Sequence, residues 1–148
     1  MTAAECWTSS FGVYFDDLDL NGHLHNARLV VLVERAQTEL FERLGGAWSR
    51  AGDRHEDLRY VVRELHLEFT APVSSPGELR IGLQAREIGR TSAVYGFRCR
   101  FGAADSEVAI GHRVIVKVDG AGKPAPWTPW YRDVFASLQD GGLPEVVA

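Results

Sequence analysis

A polar loop that lies directly before an apolar helix carries the residues best suited to catalysis. Within eleven residues the loop holds three aspartates, two histidines and two asparagines, namely Asp16, Asp17, Asp19, Asn21, His23, His25 and Asn26. The start of a helix offers unpaired backbone N–H groups and about half a unit of positive charge, which can polarise a carbonyl and hold a developing oxyanion. A carboxylate beside that helix start can activate water or attack a carbonyl directly. The segment therefore predicts chemistry at a carbonyl group.

Two metal-binding alternatives apply to the same loop. Residues 17–22 (DLDLNG) copy the opening of a calcium-binding EF-hand loop, but the twelfth position is Arg28 instead of Glu, and no helix is predicted before the loop. His23 and His25 could bind zinc or iron with the aspartates, yet two histidines one residue apart are a weak signal and the other three histidines are scattered. We therefore expect no metal and no cofactor.

A structural role is the third alternative for this loop. Asp and Asn side chains cap helices, and histidines occupy turn positions. For Asp16, Asp17 and His25 this role is favoured over a catalytic one when each residue is considered alone.

Apolar periodicity predicts the elements around the loop. Cys6–Phe15 alternates as a strand, with Phe11, Val13 and Phe15 on one side. Apolar residues recur at helical spacing over Ala27–Leu44, and a glycine pair ends the pattern. Two adjacent valines widen the apolar sector, which predicts one long and largely buried helix.

Four β-like runs follow a polar connection over residues 49–57. They are Leu58–Thr70, Glu78–Glu87, Thr91–Phe101 and Val108–Val118. Glycine and proline mark the joints between them, and helical periodicity returns only as a short turn near Asp133–Leu138. Because crossover helices are missing from this pattern, the runs predict long antiparallel strands in an α+β domain.

Composition limits the class of protein. A chain of 148 residues with 45% hydrophobic and 24% charged residues fits one globular domain and excludes disorder for most of the chain. A net charge of -4 argues against general nucleic-acid binding. We expect a cytoplasmic protein, because no apolar run is long enough to span a membrane and no secretion signal is visible. Cys6 and Cys99 lie far apart in sequence, which favours reduced thiols over a zinc site or a disulfide.

Four segments together resemble the hotdog-fold acyl thioesterases of the 4-hydroxybenzoyl-CoA thioesterase type. In order and spacing they are FDDLDLNGHLHNARLVVLVERAQTEL, EFTAPV, REIGRTSAVYGF and VIVKVDGAGKPAPW, within residues 10–132. The resemblance implies a single hotdog domain over residues 1–148, in which an antiparallel sheet of about five or six strands wraps a long central helix. It also implies hydrolysis of an acyl thioester on CoA or on acyl carrier protein, and a homodimer or homotetramer with sites at the subunit interface.

The resemblance also assigns roles to residues of the loop and the helix. The family's catalytic carboxylate matches Asp19, its carbonyl-binding backbone amide matches Asn26, and its helix glutamate matches Glu34. Asn21 and His23 would orient Asp19 or the attacking water. With Asp19 they resemble the reaction centre of acyl-carrier-protein thioesterases of the same fold, which favours a carrier-protein donor. This sequence lacks the second hotdog repeat of those enzymes, and also the Tyr or His that many bacterial CoA-type members have in place of Asn26.

Other candidate substrate-binding residues lie on the predicted strands, and His25 joins them from the loop. Arg63 is in phase with the apolar residues of its strand, which predicts an inward charge with Glu34 as the first partner to test. Arg90, Thr91 and Ser92 begin a strand and could contact pantetheine or phosphate groups, although ordinary turn chemistry explains them equally well.

An arginine patch would suit either thioester donor. Arg90, Arg98, Arg100 and Arg113 lie on successive predicted strands and could bind carrier helices or CoA phosphates. Two rival functions are an enoyl-thioester hydratase and a non-catalytic acyl-thioester binding module. The hydratases place His five positions after the Asp, where this chain has Leu24, and a binding module needs no carboxylate beside the helix start.

Overall fold

Five strands form one antiparallel sheet with the order β1-β3-β4-β5-β2. The computed structural model describes residues 4–45 and 55–143. The strands are β1 (Trp7–Val13), β2 (Tyr60–Phe69), β3 (Gly77–Ile88), β4 (Ser92–Phe101) and β5 (Ser106–Lys117). All five predicted strands are confirmed, with ends that differ by no more than two residues. β1 and β2 are the two edges of the sheet.

A long helix, α1 (Asn26–Arg43), lies against one face of the sheet. On one flank Ser9 of β1 donates a hydrogen bond to Glu39, and on the other the ring of Phe41 packs edge-on at 5.1 Å against Tyr60 of β2. The apolar spacing that predicted the helix produces this burial, because its leucines and alanine face the strands. The enclosed sector is narrower than predicted, since Val31 is 39% exposed.

A second helix, α2 (Pro129–Gln139), packs on the same face beyond α1. Its Tyr131 hydroxyl lies 2.5 Å from the hydroxyl of the buried Tyr95 on β4, and its ring stacks at 4.2 Å on Trp127. The expectation of only a short helical turn was wrong, because Pro129 at the first position favours helix initiation and four apolar residues follow at helical spacing.

Two single-turn 3₁₀ helices complete the described chain, at Phe15–Asp17 and Glu56–Leu58. The first one corrects the alternation predicted for the first strand: it turns the chain, and Phe15 is 83% exposed instead of lying beside Val13 in the core. Most of the connection predicted as irregular falls at residues 49–54, outside the described ranges. Within those ranges, no helix is long and apolar enough to cross a membrane.

Candidate active site

The Asp19 carboxylate closes a tight turn in the loop before α1. Its Oδ1 accepts hydrogen bonds from the N–H of Asn21 at 2.8 Å and of His23 at 3.1 Å. Backbone hydrogen bonds join Asp19 N–H to the His23 carbonyl and Gly22 N–H to the Asp19 carbonyl. Gly22 has φ +73°, which favours glycine at this position. The hydrogen bond from the His23 N–H lowers the pKa of Asp19 below its usual 3.8, so the carboxylate is ionised at neutral pH.

The first turn of α1 leaves one backbone donor free. His25 caps the helix, with Nδ1 accepting from Ala27 N–H at 3.3 Å and its carbonyl accepting from Arg28 and Leu29 N–H. Among the described residues, no acceptor pairs with the N–H of Asn26. This group can therefore bind a substrate oxygen at the positive end of the helix.

A cavity of about 460 Å³ joins the loop and the helix start to a second wall. On the first wall lie the four predicted residues Asp19, Asn21, His23 and Asn26, together with Leu24 and Leu29. The second wall is the end of β2 and its following turn, Phe69, Thr70, Ala71, Pro72 and Val73, with Val108 at the start of β5. The cavity thus pairs a polar face with an apolar one.

Sequence reasoning missed the second wall as part of the site. Residues 69–73 entered as the end of the predicted strand Leu58–Thr70, as the joint marked by Pro72 and through the EFTAPV resemblance, but none of these signals placed them beside the loop. A backbone hydrogen bond of 2.7 Å from Leu24 N–H to the Val73 carbonyl joins the first wall of the cavity to the second.

His25 and the Arg90–Ser92 segment lie away from this cavity. His25 lines a separate groove, in which Asp17 and Arg28 form an ion pair at 3.1 Å. Ser92 is opposite Val116 of β5, eight residues along the strand from Val108, which is roughly 26 Å at the usual strand rise. Within one chain, the Arg90–Ser92 segment therefore does not contribute to the cavity.

Glu34 has a partner other than the predicted one. Its Oε2 accepts from Nη2 of Arg113 on β5 at 2.5 Å, whereas Arg63 is exposed. A β-bulge between Val62 and Glu64 explains the error, because it inserts one residue at Arg63 and breaks the alternation on which the inward prediction depended.

The predicted arginine patch is also corrected. Arg113 is 2% exposed and paired with Glu34, Arg98 lies 3.2 Å from Glu107, and Arg100 lies 2.9 Å from Glu5. Three of its four positive charges are therefore paired with carboxylates, and only the exposed Arg90 lacks such a carboxylate among the ion pairs of the described residues.

The arrangement can polarise and attack a carbonyl. An oxygen placed at Asn26 N–H would lie in the cavity that the ionised Asp19 also lines, while an acyl group could rest on the apolar wall. Among residues 4–45 and 55–143, no three His, Cys, Asp or Glu side chains group in a way that could hold a metal ion.

Similarity to known protein sequences and structures identifies the family. The sequence profile of the thioesterase superfamily matches residues 21–100, while no curated protein sequence matches the chain. A thioesterase complexed with coenzyme A and Zn from Thermus thermophilus is 25% identical, with 89% of this chain and 98% of that chain covered at a TM-score of 0.76. A predicted thioesterase from Bacillus stearothermophilus is 19% identical, with 92% of this chain and 96% of that chain covered at a TM-score of 0.76.

A third similar structure is a 1,4-dihydroxy-2-naphthoyl-CoA thioesterase from Synechocystis, 15% identical, with 89% and 96% covered at a TM-score of 0.74. At this identity, as for the Bacillus protein, the likeness concerns the fold. The α+β hotdog architecture is thereby confirmed, and the hydratase and binding-module alternatives are not favoured. Because the superfamily profile spans more than half of the 148 residues, the chain belongs to the thioesterase superfamily, whose reaction is thioester hydrolysis.

Proposed function

We propose that this single domain hydrolyses acyl-CoA thioesters, with Asp19 as the catalytic carboxylate and the N–H of Asn26 as the oxyanion donor. One observation carries the proposal: an ionised carboxylate and an unpaired helix-terminal N–H line the same apolar-walled cavity. No metal or cofactor is needed for this chemistry.

The reaction begins when the thioester carbonyl oxygen binds at Asn26 N–H. The ionised Asp19 then attacks the carbonyl carbon to give an anhydride, or it takes the proton of a water that attacks the same carbon. Either route places negative charge on the carbonyl oxygen, where the amide at the helix start stabilises it. The thiolate leaves in both routes. The water route then gives the free acid directly, whereas in the anhydride route a water cleaves the anhydride, which releases the acid and restores the Asp19 carboxylate. His23 and Asn21 hold Asp19 through their backbone N–H groups.

CoA is favoured over acyl carrier protein as the donor. A carrier protein is usually strongly acidic, and this chain has a net charge of -4, so docking requires a basic patch. Three of the four arginines predicted to form that patch are paired with carboxylates. Support for CoA also comes from the similar Thermus thermophilus thioesterase, which is complexed with coenzyme A.

A side-by-side hydrolysis panel tests the donor. Short, long and aromatic acyl groups are each offered on CoA and on acyl carrier protein, and free thiol is measured. We expect kcat/KM on CoA to exceed that on the carrier by at least about tenfold for each acyl group. A reversed preference would contradict the proposal.

We also propose that the protein works as a homodimer joined along β2. This edge strand exposes Val61, Val62, Leu65 and Phe69 by 40–51%, and unpaired strand edges favour pairing with a second copy. Phe69 belongs to the cavity wall, so pairing along β2 would bring the partner beside the site. The cytoplasmic location expected from the sequence stays a prediction.

A further inference from the structure

The backbone group proposed to hold the oxyanion belongs to the peptide unit between His25 and Asn26. This peptide is trans, so its N–H points in the direction opposite to its C=O. The C=O, which is the carbonyl of His25, accepts hydrogen bonds from Arg28 N–H at 2.9 Å and from Leu29 N–H at 3.2 Å. The first turn of α1 therefore sets the direction of the Asn26 N–H.

Two further hydrogen bonds hold His25 itself. Its N–H donates to the Asp17 carbonyl at 2.9 Å, which ties the start of α1 to the loop. Its ring Nδ1 accepts from the Ala27 N–H at 3.3 Å. Among the hydrogen bonds that the structure describes around this peptide unit, the bond to Nδ1 is formed by a side chain and the others by backbone groups.

The bond from Ala27 N–H requires the neutral form of the His25 ring. A backbone N–H can only donate, so Nδ1 must offer a lone pair and the ring proton must be on Nε2. A second proton on Nδ1 would place two donors against each other, and the imidazolium would also face the positive end of α1. Protonation of His25 therefore breaks this cap.

The charged or titratable side chains near His25 come from the loop and from the first turn of α1. They are Asp16, Asp17, Asp19, His23 and Arg28. Histidine is the residue type that ordinarily changes charge between about pH 5 and 8. His23 is therefore the rival source of any pH dependence in this range.

We propose that neutral His25 is a positioning residue for the reaction, because its Nδ1 holds the first turn of α1 in the geometry that directs the Asn26 N–H into the cavity. The ring of His25 lines a separate groove, so it acts through Asn26 and does not contact the substrate. This inference rests on the proposed thioester hydrolysis and adds a residue that supports its oxyanion donor.

The test compares the unaltered protein with His25→Asn and His25→Ala, on the acyl-CoA of the hydrolysis panel that has the highest kcat/KM. At pH 8, kcat of His25→Asn should stay within about twofold of the unaltered value, because Asn also caps helices. Ala provides no acceptor, so kcat of His25→Ala should fall about tenfold with KM nearly unchanged. This loss is smaller than the factor of about 10²–10³ that removal of an oxyanion donor costs, because the Asn26 N–H is still present.

The pH profile distinguishes positioning from a purely structural role. Between pH 8 and pH 5, kcat of the unaltered protein should decline about tenfold and level off near the His25→Ala value, because histidine gains its positive charge in this range. kcat of His25→Asn should not decline, since Asn does not titrate. Asp19 is not the source of the decline, because the hydrogen bond from His23 N–H keeps its pKa below 3.8. Thermal unfolding at each pH checks that every variant stays folded.

His55 provides a matched control in the same chain. It caps the 3₁₀ helix Glu56–Leu58 in the same way, with Nδ1 accepting from Asp57 N–H at 3.1 Å. This helix precedes β2, whereas the cavity lies at the opposite end of that strand, at Phe69. His55→Asn should therefore leave kcat and its decline at low pH as they are in the unaltered protein.

Three results would overturn this inference while leaving thioester hydrolysis intact. They are a flat pH profile in the unaltered protein, a decline that persists in His25→Asn, and a kcat of His25→Ala equal to the unaltered value at pH 8. If His25→Ala fails to fold, the profile of His25→Asn still decides the question. If the unaltered protein hydrolyses none of the CoA thioesters in the panel, the proposed function itself is contradicted.

Discussion

Asp19 and Asp119 close two turns of the same geometry, one hundred residues apart in the sequence. In each turn the aspartate Oδ1 accepts from the N–H groups two and four residues later, at 2.8 and 3.1 Å for Asp19 and at 2.8 and 3.0 Å for Asp119. The third residue after each aspartate is a glycine with φ +73° or +78°. The Asp19 turn leads into α1 and lines the cavity, whereas the Asp119 turn follows β5. The second turn is therefore a structural control for the first.

Asp19→Asn should lower kcat at least about 100-fold with little change in fold, because a base or nucleophile contributes on the order of 10²–10⁴ to the rate. Asp119→Asn makes the same chemical change in the same kind of turn and should leave kcat unaltered. Steady-state kinetics and thermal unfolding of both variants provide the measurement. Equal losses of activity would assign Asp19 a structural role only.

The choice of Asp19 over Asp16 and Asp17 as the catalytic carboxylate can be tested separately. Asp16→Asn and Asp17→Asn should be much milder than Asp19→Asn, since Asp17 pairs with Arg28 outside the cavity. A severe loss in Asp17→Asn beside near-normal Asp19→Asn activity would place the catalytic carboxylate two residues earlier.

The pH dependence should reflect the lowered pKa of Asp19. The His23 N–H hydrogen bond stabilises the ionised carboxylate, so the active form persists above the usual value of 3.8 and is lost only as the pH falls through a still lower pKa. We expect no loss of kcat/KM from this group between about pH 5 and 8. An acidic limb with a midpoint near neutral pH would assign the essential ionisation to another residue.

A buried ion pair fastens the start of α2 to β5. Lys117 is 2% exposed and donates at 2.5 Å to Asp57, which is fully buried and also accepts from Thr128. Lys117→Met should lower the free energy of unfolding by about 3–5 kcal/mol, because it leaves the Asp57 charge unpaired. Lys117→Met/Asp57→Leu should recover part of that loss. Urea unfolding of both variants measures the difference.

The Asp57–Lys117 pair makes the stability of the fold depend on pH. Burial acts to raise the pKa of Asp57, but hydrogen bonds from Lys117 and Thr128 bring it below 3.8. Burial acts to lower the pKa of Lys117, but hydrogen bonds to Asp57 and Glu56 raise it above 10.5. The pair stabilises the fold fully between pH 3.8 and pH 10.5, the ordinary pKa values of the two groups. This stabilisation is lost as the pH falls through the lowered pKa of Asp57 or rises through the raised pKa of Lys117.

Treatment with a chelator should leave hydrolysis intact, because the proposed chemistry needs only a carboxylate and a backbone N–H. Activity is compared before and after EDTA treatment and dialysis. Loss of activity that one divalent ion restores would contradict the mechanism.

Sedimentation at micromolar concentration should give at least a homodimer. Val61→Lys places a charge on the exposed β2 edge and should favour the monomer, while Thr8→Lys on the β1 edge should not. A stable and active monomer of the unaltered chain would contradict assembly along β2.

Local patterns in the sequence were enough to locate the elements and the first wall of the site. Apolar alternation and helical spacing placed the five strands and α1 to within two residues, because local periodicity decides which side of an element faces a core. The density of polar side chains between β1 and α1 pointed to the loop, and the family resemblance selected Asp19, His23 and Asn26 within it.

The meeting of distant residues required the folded chain. The strand register and the β-bulge at Arg63 make Arg113, and not Arg63, the partner of Glu34. The packing of the loop on residues 69–73 forms the second wall of the cavity. Periodicity along a chain carries no information on pairing between elements, since that depends on strand order and on the shift that one inserted residue produces.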